Sequence, residues 1–188
     1  MALSSYNTMD SHSSSTINLE NVFVTEANLI VDEGEGFRHI ESCLPQILLC
    51  LSAEALGIME VLNKLTVEYS KTRKQFGAPI GSFQALQHRM VDNFMAFEQS
   101  KSMVYRGICE STSFNKNDID INQFLKTAHA VKALIAKNSK QIGDESIQIH
   151  GGIGMTDELN IGHFVKRLMM INVLFGDGDF HRQCFSQN

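Results

Sequence analysis

Apolar residues along most of this chain recur every three or four positions, the spacing that places side chains on one face of an α-helix. In the first long segment the steps alternate between four and three, as in a helix of a bundle. Its residues are Leu44, Leu48, Leu51, Ala55, Ile58, Leu62, Leu65 and Tyr69. Pro45 lies either in the first turn of this helix or at a kink, because its nitrogen cannot donate to the preceding turn.

The same spacing predicts further helices. Ser82 is a candidate N-cap for the second helix, and the polar loop 111–120 separates it from a third helix over 121–149. A fourth helix is predicted to begin near 156–158, and a short last helix follows the glycine-rich break at 176–179. Long helices with short connections pack antiparallel, so the predicted fold is all-α, an up-and-down four-helix bundle.

The N-terminal part of the chain has a different pattern. Residues 1–15 are polar and rich in serine, which predicts a loose terminus. Apolar and polar residues alternate over 16–24, a pattern that fits either a strand or an extended arm. We therefore predict two regions, an extended or β-type segment over 1–35 and the helical bundle over 36–188.

Composition narrows the functional classes. The net charge is -5 with both signs interspersed, which favours neither nucleic acid nor an anionic membrane surface. No stretch of about 20 continuous apolar residues indicates a membrane-spanning helix, and no basic and apolar leader indicates secretion. The four cysteines lack C-x-x-C spacing and are expected to be reduced and mostly buried. These features predict a cytoplasmic protein.

The break between the first two helices carries the strongest candidate chemistry. Lys71, Arg73 and Lys74 end the first helix, where the helix dipole favours cations, and Gly77 and Pro79 prevent its continuation. A guanidinium is a planar fork that matches a pyrophosphate. The alternative for Arg73 is a cation in solvent at a helix end.

A glycine pair ends the third helix and forms a second candidate site. The segment Gln148–Thr156 contains Gly151, Gly152 and Gly154. Adjacent glycines let a ligand approach the backbone where a Cβ would clash, although they also serve simply to end a helix.

Together these segments resemble the acyl-CoA dehydrogenase family. Arg73–Gln84 matches its R-x-Q-F-G-x-P-I-x-x-F-Q string, and Gln148–Gly154 matches its Q-x-x-G-G-x-G string. The resemblance covers roughly residues 15 to 185 and implies the C-terminal helical domain of that family, with FAD as cofactor. The residues implied to contact FAD are Arg73, Gln75, Phe76, Gln84, Gln148, Gly151 and Gly152.

The resemblance also implies where each residue acts. Arg73 would reach the pyrophosphate of a neighbouring subunit's FAD, and Gln84 would contact the adenosine side. Gln148 and Gly152 would face the adenine end across a dimer interface. From the residues alone, Phe76 could instead cap the core and Gln84 could be a surface amide.

The chain departs from the family where a catalytic base is expected. Phe175 and Ile47 stand at the two positions that hold the base glutamate in different members, and neither side chain accepts a proton. Asp177 and Asp179 replace the family's T-x-Q pair, and Asp177 is a candidate relocated base. The ending resembles the small subunits of heteromeric acyl-CoA dehydrogenases, in which a second subunit supplies the base. No E-x-x-H pair or His/Cys cluster predicts a metal site.

The predicted function is therefore that of a C-terminal domain that contributes to FAD binding and oligomerisation and is inactive alone. The assembled enzyme would act on an acyl-CoA substrate by α,β-dehydrogenation and pass electrons to a transfer partner. The chain would form a homo-oligomer or pair with an acyl-CoA dehydrogenase subunit. The alternative is an assembly subunit that no longer binds flavin.

Overall fold

The computed structural model describes residues 2–116 and 118–187. By its contacts the chain divides into two compact units, Met1–Leu44 and Pro45–Asn188, and this division falls within a long helix. The domain boundary expected at residue 35 stays a prediction.

The first unit contains an antiparallel hairpin. Strand β1 (Ala2–Asn7) pairs with β2 (Ser13–Asn18), with Ala2 opposite Asn18 and Asn7 opposite Ser13. The Thr8 N–H donates to the carbonyl of His12 at 2.8 Å and closes the turn. The expectation of a loose segment over 1–15 is wrong, because backbone pairing between the two strands orders most of it.

The remaining elements are helices and one very short ladder. They are α1 (Gly36–Thr72), β3 (Lys74–Gln75), β4 (Ala78–Pro79), α2 (Gln84–Asn115), α3 (Ile121–His150), α4 (Ile161–Val173) and α5 (Gly178–Gln187). Single 3₁₀ turns occur at Glu26–Asn28, Ile80–Ser82 and Gly151–Met155. The predicted all-α bundle is confirmed.

Three boundary predictions are corrected. Ser82 does not cap α2, since its hydroxyl donates to the carbonyl of Pro79 and the N-cap position belongs to Phe83. The segment 111–115 belongs to α2 instead of a loop, because its Thr112 hydroxyl bonds back to the helix carbonyl of Ile108. The fourth helix begins at Ile161 and not at 156–158, since a 3₁₀ turn precedes it.

Helix α1 differs from expectation in two ways. Pro45 lies well inside it, so the first-turn alternative is wrong. Its apolar composition also includes an 18-residue stretch of mean hydropathy 1.5, enough by length and composition to cross a bilayer. The search for an unbroken apolar run missed this stretch, because hydropathy averaging tolerates a few polar residues. Core helices of bundles meet the same criterion, so it is weak evidence.

The core lies around α3, which contacts α2, α4 and α5. Its buried apolar residues are Leu49, Ala55, Met59, Leu62, Ala96, Phe97, Val104, Phe124, Val131, Ile135, Ile142, Ile161, Val165, Leu168 and Ile171. Helices α1 and α2 approach closely at Gly107, where an added Cβ would lie 2.4 Å from a methyl of Leu49. These packed faces hold the ends of α1 and α3 near each other.

The cysteines do not lie where they were expected. Cys43, Cys50 and Cys109 are exposed, and Cys184 is half-buried. The prediction of mostly buried thiols is wrong, because these positions fall on the outer faces of their helices.

Candidate functional site

A cavity of about 570 Å³ opens where the end of α1, the β3–β4 turn, the start of α2 and the end of α3 meet. Six of the seven predicted site residues line it, namely Arg73, Gln75, Phe76, Gln148, Gly151 and Gly152. Gln84, the first residue of α2, is exposed and does not line the cavity. Two motifs far apart in sequence thus contribute to one concave surface.

Arg73 directly follows the last turn of α1. Its N–H donates to the carbonyl of Tyr69 at 2.9 Å, and its own carbonyl accepts from the N–H of Ile80 at 2.8 Å. These bonds fix the backbone while the side chain stays exposed. Within residues 2–116 and 118–187, no carboxylate pairs with this guanidinium. The fork is therefore available to an anionic ligand.

Phe76 sits at the tip of the β3–β4 turn with a positive φ of 53°, and Gly77 follows with φ 80°. The turn leaves 95% of the Phe76 side chain exposed. Its ring meets that of Phe83 edge-on, with centroids 6.1 Å apart. The alternative in which Phe76 caps the core is wrong, because the left-handed turn directs the ring away from it.

The glycine pair leaves the backbone at the end of α3 uncovered. Gly151 has φ 68° and ψ -147°, a conformation that a residue with a Cβ adopts only with strain. No atom lies within 4 Å of the position that a Cβ would take at Gly151 or at Gly152. A ligand in the cavity can therefore approach this backbone closely.

Three cavity residues were not predicted from the sequence: Tyr69, Arg89 and His150. The Arg89 guanidinium donates to the carboxylate of Glu145 at 2.5 Å, which links α2 to α3 and raises the pKa of Arg89. The signal for His150 was present, since it lies between Gln148 and Gly151 in the second motif. The other two needed the fold, because nothing in their local sequence marks them.

His150 is held by two contacts. Its Nδ1 lies 2.8 Å from the carbonyl oxygen of Ser146, and its ring stacks on Tyr69 with centroids 4.3 Å apart and planes at 26°. Burial lowers the pKa of His150, while the bond to Ser146 acts weakly in the opposite direction. The ring is therefore neutral at neutral pH.

The turn between α4 and α5 holds the residues at the family's base position. Phe175 has φ 59° and is 52% exposed. The Asp177 carboxylate accepts the N–H of Phe180 at 2.8 Å, which caps α5, and Asp179 forms an ion pair with Arg182. Both aspartates thus have structural partners, and Ile47 is a half-buried alkyl side chain. None of these contacts gives this turn a catalytic base.

Behind the turn lies a buried polar cluster that the sequence pattern did not reveal. The Lys132 ammonium, fully buried on α3, donates to the carbonyls of Ile171, Asn172 and Gly176 at 2.7, 3.4 and 3.3 Å. Burial lowers the pKa of Lys132 to about 8, against an opposing effect of Asp177. This cation satisfies carbonyls at the C-terminus of α4, where the helix dipole is negative.

Among the residues that the structure describes, no group of three or more His, Cys, Asp or Glu side chains could hold a metal ion. The site therefore combines an unpaired guanidinium, an exposed aromatic ring, an open glycine backbone and a neutral imidazole. That combination defines a binding site for a large anionic, aromatic ligand and not a hydrolytic centre.

Comparison with known proteins identifies the class. The family described as "Acyl-CoA dehydrogenase, C-terminal domain" matches residues 34–188. The chain therefore belongs to the acyl-CoA dehydrogenase family and corresponds to its C-terminal domain.

Particular relatives agree. Short-chain-specific acyl-CoA dehydrogenase of Megasphaera elsdenii is 28% identical over 173 residues, covering 91% of this chain and 43% of the relative. Acyl-CoA dehydrogenase IpdE2 of Mycolicibacterium smegmatis is 40% identical over 119 residues, covering 63% and 34% respectively. The solved structure of PigA with FAD and proline is 26% identical, has a TM-score of 0.84, and is matched over 98% of this chain and 48% of its own. The chain thus spans less than half the length of these relatives.

Proposed function

We propose that this chain supplies one wall of an FAD site in an assembled acyl-CoA dehydrogenase and supplies no catalytic base. The observation that carries the proposal is the joining of two motifs, from the end of α1 and the end of α3, in one cavity of about 570 Å³. That volume lies in the range of cofactor and ligand pockets.

The donor set fits a dinucleotide. Arg73 would take the pyrophosphate, because its guanidinium is exposed and unpaired and a fork matches phosphate oxygens. Gln75 and Gln148 offer amide groups at the rim, and Gly151 and Gly152 leave room for close approach. Phe76 offers an exposed ring on which a flat group can stack.

Bound FAD would accept a hydride from the β-carbon of an acyl-CoA while a carboxylate removes the α-proton. Phe175 and Ile47 cannot remove that proton, and Asp177 is engaged as a helix cap. We therefore assign the base to a second subunit and expect the isolated chain to be inactive. Measurable turnover of acyl-CoA by the pure chain would refute this assignment.

The surface supports assembly with another subunit. Helix α2 exposes Val91, Phe94 and Met95 at 54, 58 and 50%, which lie on one side of the helix, and Tyr105 and Ile108 continue the apolar surface along it. We propose a homo-oligomer or a heteromer through the bundle, with an electron-transfer partner serving the assembled enzyme in the cytoplasm. Acyl-CoA would bind in the assembly and not in this chain alone.

The test is co-purification of this chain with the neighbouring gene product most similar to a full-length acyl-CoA dehydrogenase. The joint complex should show a flavin absorbance band that Arg73→Ala removes. Lys74→Ala is the matched control, because it deletes the next cation along an exposed turn and should leave the band unchanged. A complex without flavin, or with flavin indifferent to Arg73, would leave the chain an assembly subunit only.

A further inference from the structure

The hydrogen-bonding state of His150 follows from its neighbours. A carbonyl oxygen only accepts, so the 2.8 Å contact between Nδ1 and the oxygen of Ser146 requires the proton on Nδ1. The pKa of His150 is lowered by burial, so the ring carries no second proton near neutral pH. Its Nε2 therefore holds a lone pair and acts as a hydrogen-bond acceptor.

The orientation of that acceptor is also fixed. The Tyr69 ring stacks on the imidazole at 4.3 Å, and the Tyr69 hydroxyl donates to the carbonyl of His150 at 3.4 Å. The side chain is 5% exposed, so it has little freedom to rotate. A ligand would meet an acceptor that is already in place, which lowers the ordering cost of binding.

Nε2 has open space in front of it. Within the described part of the chain no group bonds to Nε2, and it is not among the polar atoms sealed in the interior without a partner. His150 lines the 570 Å³ cavity and also a neighbouring one of about 410 Å³ that contains Tyr69. The free lone pair thus borders ligand-accessible space.

The charged groups around the ring explain its value. Arg73 and Arg89 line the first cavity, with Arg89 paired to Glu145, while Glu68 and Glu158 line the second. In the first cavity the charged side chains are hydrogen-bond donors that suit phosphate oxygens. His150 adds a neutral acceptor among them. A nucleotide carries matching donors in the amino group of adenine and the hydroxyls of ribose.

We propose that His150 determines the specificity of this site by accepting a hydrogen bond from an N–H or O–H donor on the nucleotide half of the dinucleotide. The proposal rests on the proposed function of the cavity as an FAD site. The acceptor works only while the ring is neutral, since a protonated imidazole donates from both nitrogens. Recognition of the nucleotide is therefore lost in acid.

The experiment uses the co-purified complex, stripped of flavin and titrated with FAD and two analogues. One analogue has hypoxanthine in place of adenine, which replaces the amino donor by a carbonyl. The other lacks the ribose 2′-hydroxyl. The wild-type complex should bind one analogue about tenfold more weakly than FAD, a loss of about 1.4 kcal/mol. The analogue that binds weakly identifies the donor.

Two variants assign that preference to His150. His150→Phe retains a ring to stack on Tyr69 but removes the acceptor, and it should bind FAD and both analogues equally. His150→Gln places an amide oxygen near the position of Nε2 and should restore the preference. As the pH falls below 6.5, FAD affinity should weaken in the wild type and not in His150→Gln. Unfolding midpoints of both variants check that the bundle is intact.

The outcomes separate the two proposals. If the wild type takes up no flavin, both are overturned. If it takes up flavin in an Arg73-dependent way but His150→Phe keeps the wild-type preference among the three ligands, only the role of His150 is overturned. Equal binding of all three ligands by the wild type has the same meaning.

Discussion

The Nδ1 of His129 on α3 lies 2.7 Å from the Nδ1 of His181 on α5, and both rings are buried. Two Nδ1 atoms at this distance share one proton, so the contact forms only when at least one imidazole is neutral. Burial lowers the pKa of His129, and burial together with Lys132 and His129 lowers the pKa of His181 to about 4. The docking of α5 therefore depends on protonation.

This pair makes the stability of the bundle fall in acid. The folded pKa of His181 is below its ordinary value of 6.5, so the unfolded chain binds the proton first and gains stability as the pH falls. Between pH 6.5 and about 4 the loss should reach roughly 3 kcal/mol. Urea unfolding across this range measures it.

His181→Asn is the control for the histidine pair. An amide nitrogen near the position of Nδ1 can still bond to His129, but the side chain does not titrate. The variant should lose much of the pH slope while the carboxylates elsewhere continue to contribute theirs. A slope equal to that of the wild type would show that the pair is not the acid-sensitive element.

Lys132→Met should destabilise the chain by about 2–4 kcal/mol, because it leaves buried carbonyls of the α4–α5 turn without a donor. Lys137→Met removes an exposed cation from the same helix and should change stability by less than about 0.5 kcal/mol. Denaturant midpoints of the two variants test the difference. Equal effects would mean that burial of the ammonium contributes nothing specific.

Gly178→Ala should destabilise the docking of α5 by about 1–3 kcal/mol, because its Cβ would lie 2.9 Å from the Cβ of Ala136. Ala136→Gly alone should cost about 1 kcal/mol through helix propensity. In the double variant the clash is absent, so the two effects should not add. Additive free energies in this double-mutant cycle would contradict a direct contact.

Asp177→Ala should cost about 1 kcal/mol of stability through loss of the cap on α5, whereas Asp177→Asn keeps an acceptor for the Phe180 N–H and should change little. In the co-purified complex, Asp177→Asn should retain acyl-CoA turnover, since the cap and not a proton transfer is its role. Loss of turnover with unchanged stability would instead identify Asp177 as the base.

The helices and their breaks could be predicted from the sequence because their signals are local. The apolar period places Leu48, Ala55 and Leu62 on one buried face of α1, and they lie there. The break after Arg73 and the glycine pair at Gly151 also depend on neighbouring residues alone. The positions of these two motifs in the chain sufficed to indicate the family before any contact was known.

Contacts between distant segments were decided by the tertiary structure. Tyr69 and His150 meet because α1 and α3 end at the same place, and no local pattern encodes that stacking. The polar residues His129 and Lys132 share a face of α3 with apolar neighbours, and only the ends of α4 and α5 provide their partners. Periodicity fixes which face of a helix is buried, but packing alone determines which carbonyl or ring lies opposite each buried polar group.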